Sequence, residues 1–227
     1  MEKYLLRILG SLFIIISHQA LGQHEFFHEL VLEKTLIEQE EWEFVGEANF
    51  KYLYDEPAWR RWGLSFAGVR RIQRFNILAG ANSYYTFNRS ITNFFEVRPW
   101  TAVQYRIPIF GDMTLRQRLK YEWRFFYTKE NNSRRENYRR FRYQIGMDIP
   151  IPVERESSWV IRPYVEWFLI RDPSTFERFP NERDYGIMVT KRLKNKHEFY
   201  FIFRLEEFYN RETQRGNGYI FLSGYSF

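Results

Sequence analysis

The sequence contains no cysteine and only four histidines. Without thiols, neither disulfides nor thiolate metal sites can stabilise the fold or carry chemistry. After residue 22, no apolar run approaches the ~18 residues that a membrane-spanning helix needs. Disorder is excluded for the opposite reason, because 20% of the 227 residues are aromatic and can bury a large surface. What remains is a folded chain that is rich in both aromatic and charged side chains.

The first 22 residues are typical of a secretory signal peptide. Lys3 and Arg7 make its start positive, residues 8–16 are mostly apolar, and Ala20-Leu21-Gly22 is a small-x-small cleavage site. We predict cleavage near Gly22/Gln23 and one mature domain over residues 23–227; a short buried N-terminal helix is the alternative. Removing Glu2, Lys3 and Arg7 with the signal peptide lowers the net charge from +6 to +5, and because this basic chain is predicted to be exported, we predict no nucleic-acid partner.

The segment from Leu115 to Tyr127 shows the pattern that repeats along the chain. Alternate residues of a β-strand point to opposite faces. One face of this segment is mostly apolar, whereas the other carries Arg116, Arg118, Lys120, Glu122 and Arg124. A helix would scatter these charges around its axis and leave no apolar stripe. The segment is therefore predicted to be a long strand between two different environments.

Ten further segments read as strands of the same kind. Most segments run for about 11–16 residues, whereas strands of soluble proteins cluster near 5–6. Their ranges, together with the first, are 25–36, 40–52, 59–71, 75–87, 93–107, 113–127, 137–151, 158–170, 183–193, 197–208 and 217–227. The connections also alternate in length. Those near 37–39, 72–74, 108–112, 152–157 and 194–196 are short, and those at 128–136, 171–182 and 209–216 are long and polar.

These features predict an all-β fold, an antiparallel transmembrane β-barrel of the bacterial outer membrane with short periplasmic turns and longer extracellular loops. Its aromatic face would meet lipid and lipopolysaccharide, and its charged face would line the lumen. A secreted soluble β-sandwich or barrel, with the aromatic face as its core, is the alternative. Eleven segments conflict with the even strand number of single-chain bacterial barrels. We therefore predict about 12 strands, with 10 possible, and with segment 25–36 miscounted in either case.

Two resemblances support the barrel. The last strand, with Phe221, Ser223, Tyr225 and Phe227 on alternate positions, is similar to the signal by which the assembly machinery recognises outer-membrane barrels. The patterns at 96–100, 118–124 and 140–143, together with Glu166 and Arg183, resemble the outer-membrane barrel family catalogued as domain of unknown function 2490. That resemblance covers nearly the whole mature chain and implies a barrel with an arginine-rich interior. It implies no activity.

The candidate functional feature is the set of charged residues predicted to face the lumen. We assign to this network, or anion pathway, Glu96, Arg98, Arg116, Arg118, Lys120, Glu122, Arg124, Arg140, Arg142, Glu166, Arg204 and Glu206. Arg106, Arg162, Glu43, Glu47 and Asp148 share the same faces. In a narrow barrel such side chains can fill the interior as ion pairs, which predicts a closed or narrow structural barrel.

A narrow anion-selective channel is the alternative function. Basic residues exceed acidic ones in segments 113–127 and 137–151, and arginine binds phosphate, carboxylate and acidic-sugar groups well. An enzyme is the weakest interpretation, because His24, His28 and His197 lie in no recognisable catalytic or metal-binding pattern. We predict no enzymatic activity, no cofactor and no metal. A lumen in which Arg116, Arg118, Arg140 and Arg142 each face a carboxylate would favour the closed barrel.

Overall fold

The computed structural model describes residues 23–56, 58–87, 93–128, 136–151, 158–169, 182–193, 197–210 and 214–227. The predicted signal peptide lies outside these residues, as does most of the predicted long connections at 128–136 and 171–182. None of the described residues belongs to a helix that could span a membrane.

The described residues form eleven strands. Their bounds are β1 Gln23–Gln39, β2 Trp42–Leu53, β3 Arg60–Ile72, β4 Phe75–Phe87, β5 Phe94–Pro108, β6 Thr114–Thr128, β7 Glu136–Ile151, β8 Ser158–Phe168, β9 Arg183–Arg192, β10 Glu198–Asn210 and β11 Gln214–Ser226. Each predicted segment corresponds to one of these strands. The alternation of side chains therefore located every strand to within a few residues.

The strands close into one barrel in which each strand pairs with its neighbours in the sequence. All the neighbouring pairs are antiparallel, and β1 closes the ring by pairing with β11 in parallel, from Gln23↔Gly216 to Glu33↔Ser226. This corrects the prediction of 12 or 10 strands. An odd number of up-and-down strands leaves the first and last pointing the same way, and a parallel ladder accommodates that geometry. Segment 25–36 is a full strand.

The parallel closure separates the two ends of the strand sequence. The start of β1 and the end of β11 lie at opposite ends of the barrel. One end of the barrel carries connections 40–41, 73–74 and 109–113, together with the last residues of β11. We call it the turn end. The loop end carries Gln23 and connections 54–59 and 169–182. The predicted long connection at 209–216 is wrong, because only residues 211–213 separate β10 from β11.

The outer face of the barrel is apolar. Trp62, Leu64 and Phe66 on β3 are each more than half exposed. Aromatic side chains mark both limits of this face, for example Trp42 near the turn end of β2 and Tyr52 near its loop end. At ~3.3 Å per residue and a tilt of ~45°, the ten residue steps from Trp42 to Tyr52 span about 23 Å along the barrel axis. The apolar band of a transmembrane barrel is about 25 Å tall.

Four inward-facing aromatic rings lie across glycines of the adjacent strand. The pairs are in direct register: Tyr84 with Gly63, Trp100 with Gly80, Tyr164 with Gly186 and Tyr200 with Gly224. A Cβ added at any of these glycines would come within 3 Å of the ring. Because glycine lacks that atom, the rings can lie flat against the wall. These pairs let large side chains occupy the interior without filling it.

Candidate functional site

All twelve charged residues predicted to line the lumen lie on the inward face of their strands. The three residues of the predicted assembly signal, Phe221, Tyr225 and Phe227, lie on the outer face of β11 or at its end, and Phe221 and Phe227 are exposed. The lumen charges separate into four groups, three of them built around one or two carboxylates and one around an arginine.

The first group surrounds Glu96 near the loop end. Its fully buried carboxylate accepts hydrogen bonds from Arg61 Nη2 at 2.6 Å, from Arg98 Nε at 2.8 Å and from Arg124 Nε at 2.6 Å. The cations come from β3, β5 and β6, so one carboxylate links three strands. Such charge-assisted bonds are among the strongest in proteins, and here they compensate the cost of burying the charges.

The second group lies near the middle of β6 and β7, beside β8. Arg142 bonds both Glu122, through Nη1 at 3.2 Å, and Glu166, through Nη2. Lys120 Nζ lies 2.9 Å from Glu122, and Arg118 Nη2 lies 3.2 Å from Glu166. These contacts tie β6, β7 and β8 together from the inside. Arg140, which is buried in direct register with Glu122, also packs against Phe168 with its guanidinium carbon 5.1 Å from the ring centre.

The third group lies on the opposite side of the lumen, around Arg204 of β10. Its Nη2 is 3.1 Å from Glu206 and 3.4 Å from Glu29, and its Nε is 3.8 Å from Asp184. Lys51 Nζ is 3.7 Å from Glu206. Here few cations serve several carboxylates, which is the reverse of the first group.

The fourth group lies near the turn end, where Asp148 contacts two arginines. Arg162 Nε bonds Asp148 Oδ1, and Arg116 Nε is 3.5 Å from Asp148 Oδ2. With its amide oriented to satisfy its neighbours, Gln104 accepts from Arg106 at 3.1 Å and from Arg116 at 3.0 Å. The neutral amide oxygen of Gln104 thus supplements the single carboxylate of Asp148 as a hydrogen-bond acceptor for the arginines.

The four groups divide the lumen into two walls of opposite charge. We call the inward residues of β5–β8 the basic wall. Away from the rims, its described cations are Arg98, Arg116, Arg118, Lys120, Arg124, Arg140, Arg142 and Arg162. Its described carboxylates there are Glu96, Glu122, Asp148 and Glu166. The acidic wall comprises the inward residues of β9–β11, β1 and β2, with Glu25, Glu29, Glu33, Glu47, Asp184 and Glu206 against Lys51 and Arg204. In the ring of strands, β1 lies opposite β6 and β7. A transverse field therefore crosses the lumen.

Apolar side chains close much of the loop end. Phe27 of β1, Leu53 of β2 and Trp59 of connection 54–59 are almost completely buried and belong to one cluster with Ile220. The Phe27 and Trp59 rings meet edge to face at 5.3 Å. Together with the Glu96 group, this packing occupies much of the lumen at that end.

Two cavities inside the barrel are lined by residues that the structure describes. The central cavity, of about 400 Å³, lies between the walls and is lined by residues of both. A second cavity of about 260 Å³ lies between the barrel's middle and the turn end, against the small side chains Ser65, Ala67 and Ala102. Glu47, Asn82, Arg118 and Lys120 line both cavities. The interior is thus less filled towards the turn end than towards the loop end.

The sequence-based assignment of the network omits Lys51, Arg61 and Asp184, which take part in it. Alternation within segments 40–52 and 59–71 places Lys51 and Arg61 on the polar face, so that signal could have identified both. Asp184 lies on the inward face of β9. The sequence analysis predicts segment 183–193 as a strand but does not say which of its residues face inward. Only the register with Glu166 and Glu206 identifies its surroundings.

The three histidines that the structure describes, His24, His28 and His197, belong to the outer surface or the rims. His28 Nδ1 lies 3.1 Å from the Tyr52 hydroxyl, and His28 Nε2 lies 3.4 Å from Ser223 Oγ. Near the other end, His197 hydrogen-bonds the Tyr225 hydroxyl. The sequence could not reveal the contact between His28 and Ser223, because it depends on the parallel closure that brings β1 against β11. Polar atoms beside aromatic rings are typical of the interfacial belts of membrane proteins. Within the described residues, no three histidine or carboxylate side chains form a group that could hold a metal ion.

The fold and its side chains define a class: a closed, up-and-down β-barrel with an apolar outer face and a charged interior. The family model described as "Protein of unknown function (DUF2490)" matches residues 26–197, which is most of the chain. The chain belongs to this family, as its strand patterns predicted. A comparison with curated proteins finds no significant match.

Proposed function

We propose that this chain is an integral outer-membrane β-barrel whose lumen is closed by paired charges and which serves a structural or interaction role. The observation that carries the proposal is the pairing of the basic wall. Arg116, Arg118 and Arg142 each contact a carboxylate, and Arg140 lies in register with Glu122. Ion pairs that bridge adjacent strands occupy space that a permeating ion would need.

Several features support a position in the outer membrane. The first 22 residues fit a secretory signal, and the exposed apolar band has the height of the hydrocarbon layer. In this proposal the band contacts lipid and lipopolysaccharide, and the assembly machinery recognises β11 through Phe221, Tyr225 and Phe227. With the end of β11 in the periplasm, the turn end faces inward and the loop end faces the medium. We expect no enzymatic activity.

Two measurements test the proposal. The full-length protein, expressed in a Gram-negative host, should fractionate with the outer membrane and migrate faster in detergent gels before boiling than after. Inserted into a planar bilayer, the purified barrel should pass no steady current. Recovery in the soluble periplasm would overturn the membrane assignment, and a steady current would overturn the closed lumen.

A narrow anion-selective channel is the second candidate, and the excess of cations on the basic wall favours it. Under a salt gradient such a channel would show a reversal potential of the sign set by anion flow. Arg118→Glu or Arg142→Glu would reduce that selectivity. Arg192→Glu at the exposed rim, outside both cavities, is the matched control.

A further inference from the structure

The central cavity has the size of a small-molecule site. Its volume of about 400 Å³ falls within the ~300–1,000 Å³ typical of ligand pockets. At ~30 Å³ per water molecule, it could hold about a dozen waters. Unlike most such pockets, it is lined mainly by charged and polar side chains, so its natural occupant carries charge.

The two sides of the cavity carry opposite charge. Arg118, Lys120 and Arg142 line it from the basic wall, and Glu29 and Glu47 line it from the acidic wall. Arg118, Lys120 and Arg142 share the two carboxylates of Glu122 and Glu166, so three cations converge where two anions are present. Their position favours an added anionic group, which a guanidinium binds through planar pairs of hydrogen bonds.

The acidic side also contains carboxylates that the protein satisfies incompletely. Glu47 accepts a hydrogen bond from Asn49 at 2.9 Å but forms no ion pair within the described residues. Asp184 is 2% exposed and lines the same cavity, and its Oδ1 has no hydrogen-bond partner among the described residues. A partly buried carboxylate without a cation is unfavourable, and an ammonium group in the cavity would supply one to Glu47.

We propose that the central cavity binds a small free zwitterion that carries an ammonium and a phosphate, phosphonate or carboxylate group. The anionic group contacts Arg118, Lys120 and Arg142, and the ammonium group contacts the carboxylate of Glu47, which lines the same cavity from the acidic wall. A simple anion would leave the acidic wall unsatisfied and a simple cation the basic wall. A dipolar solute aligned with the transverse field satisfies both.

The ligand reaches the cavity from the turn end. The second cavity adjoins the first at Glu47, Asn82, Arg118 and Lys120 and extends towards that end. The loop end is closed by the Phe27–Trp59 packing and the Glu96 group. The inference rests on the proposed closed barrel, because a lumen closed at one end can retain a solute without conducting it.

The test uses three probes that share one carbon chain. 3-Aminopropylphosphonate carries both charges, propylphosphonate only the anion and propylamine only the cation. The refolded, lipid-free barrel in neutral detergent is heated with each probe, and the unfolding midpoint is followed against concentration, because a ligand that binds only the native state raises that midpoint. We expect 3-aminopropylphosphonate to bind about tenfold more tightly than either partial probe, the factor expected for one charge-assisted hydrogen bond.

Two cavity variants and one control sharpen the result. Glu47→Gln removes the acidic pole without breaking an ion pair and should reduce affinity for 3-aminopropylphosphonate to that for propylphosphonate. Arg118→Gln leaves Glu166 paired with Arg142 and should weaken both phosphonates. Glu198→Gln, at the rim beside Arg192, should change neither.

Three results would overturn the proposal. Equal binding of both phosphonates would indicate an anion site, equal binding of both amines a cation site, and no shift with any probe would exclude the site. None of these outcomes bears on the closed barrel, which the gel shift before boiling and the bilayer current test separately. Failure of the inference and failure of the proposed function are therefore distinguishable.

Discussion

The two walls of the lumen pair their charges in different ways. On the basic wall each carboxylate is shared by two or more cations, as Glu96 is by Arg61, Arg98 and Arg124. On the acidic wall Arg204 lies within 4 Å of three carboxylates, while Glu47 has none of the described cations as a partner. On each wall, the residues whose charge has the less frequent sign all form ion pairs. Removing a carboxylate should therefore be costly on the basic wall and nearly neutral, or favourable, on the acidic wall.

The largest effect is expected for Glu96→Gln on the basic wall. The change leaves three buried arginines without their shared carboxylate, and removing one partner of a buried ion pair typically costs about 3–5 kcal/mol. Urea unfolding in detergent micelles, followed by tryptophan fluorescence, measures the free energy of unfolding. Glu198→Gln at the exposed rim is the control and should change it by less than about 1 kcal/mol. Equal losses in the two variants would contradict a special role for the Glu96 group.

Strands β3 and β4, which lie between the two walls, provide the second test. Here we test a packing contact, that of Gly80 with the neighbouring strands, and not an ion pair. A Cβ at Gly80 of β4 would lie 2.5 Å from the Phe66 carbonyl oxygen and 2.7 Å from the Trp100 ring. Gly80→Ala should therefore destabilise the barrel by about 1–3 kcal/mol, the usual range for overpacking. At Gly218 of β11 the nearest atom is 3.5 Å away, so Gly218→Ala is the matched control. If both variants lose the same stability, the ring-on-glycine packing does not hold this region.

On the acidic wall, Asp184→Asn should raise the free energy of unfolding, whereas Glu96→Gln on the basic wall should lower it. Asp184 lies in direct register with Glu166 on one side and Glu206 on the other, and like charges directly opposite each other are unfavourable. Its nearest described cation is Arg204, 3.8 Å away. We expect the variant to gain up to about 1 kcal/mol in the same unfolding experiment. A loss comparable with that of Glu96→Gln would show that the two walls do not differ.

The smallest effect on stability is expected for Glu47→Gln. The amide oxygen of glutamine can still accept the hydrogen bond from Asn49, and no described ion pair is lost. The free energy of unfolding should change by less than about 0.5 kcal/mol, as for substitutions away from buried networks. A loss above about 2 kcal/mol would mean that Glu47 is a structural member of the network, in which case its role in ligand binding could not be tested by this variant.

Much of this architecture could be predicted from the sequence. Alternation between Leu115 and Tyr127 assigned Arg118 and Glu122 to the interior and Leu119 and Trp123 to the exterior, and the structure places them so. This works because the two-residue period of a strand is a local property. The same rule, applied to every segment, would have added Lys51 and Arg61 to the lumen network.

The sequence could not reveal how the barrel closes. The even-number rule for bacterial barrels led to 12 or 10 strands, whereas β1 meets β11 in parallel and completes a ring of eleven. Closure depends on contacts between segments almost 200 residues apart, and no local pattern encodes their direction. The contact between His28 and Ser223 depends on that closure and was equally invisible.

The sequence by itself determined the strands, their two faces and the chemical character of each face, because these follow from the identities of residues two positions apart. Tertiary structure alone decided which charges meet. The register brings Arg61, Arg98 and Arg124 to Glu96, aligns Glu166, Asp184 and Glu206 in one row, and sets an acidic wall opposite a basic one. Coulomb energies depend on distances across the lumen, and those distances are defined only once the ring of strands has closed.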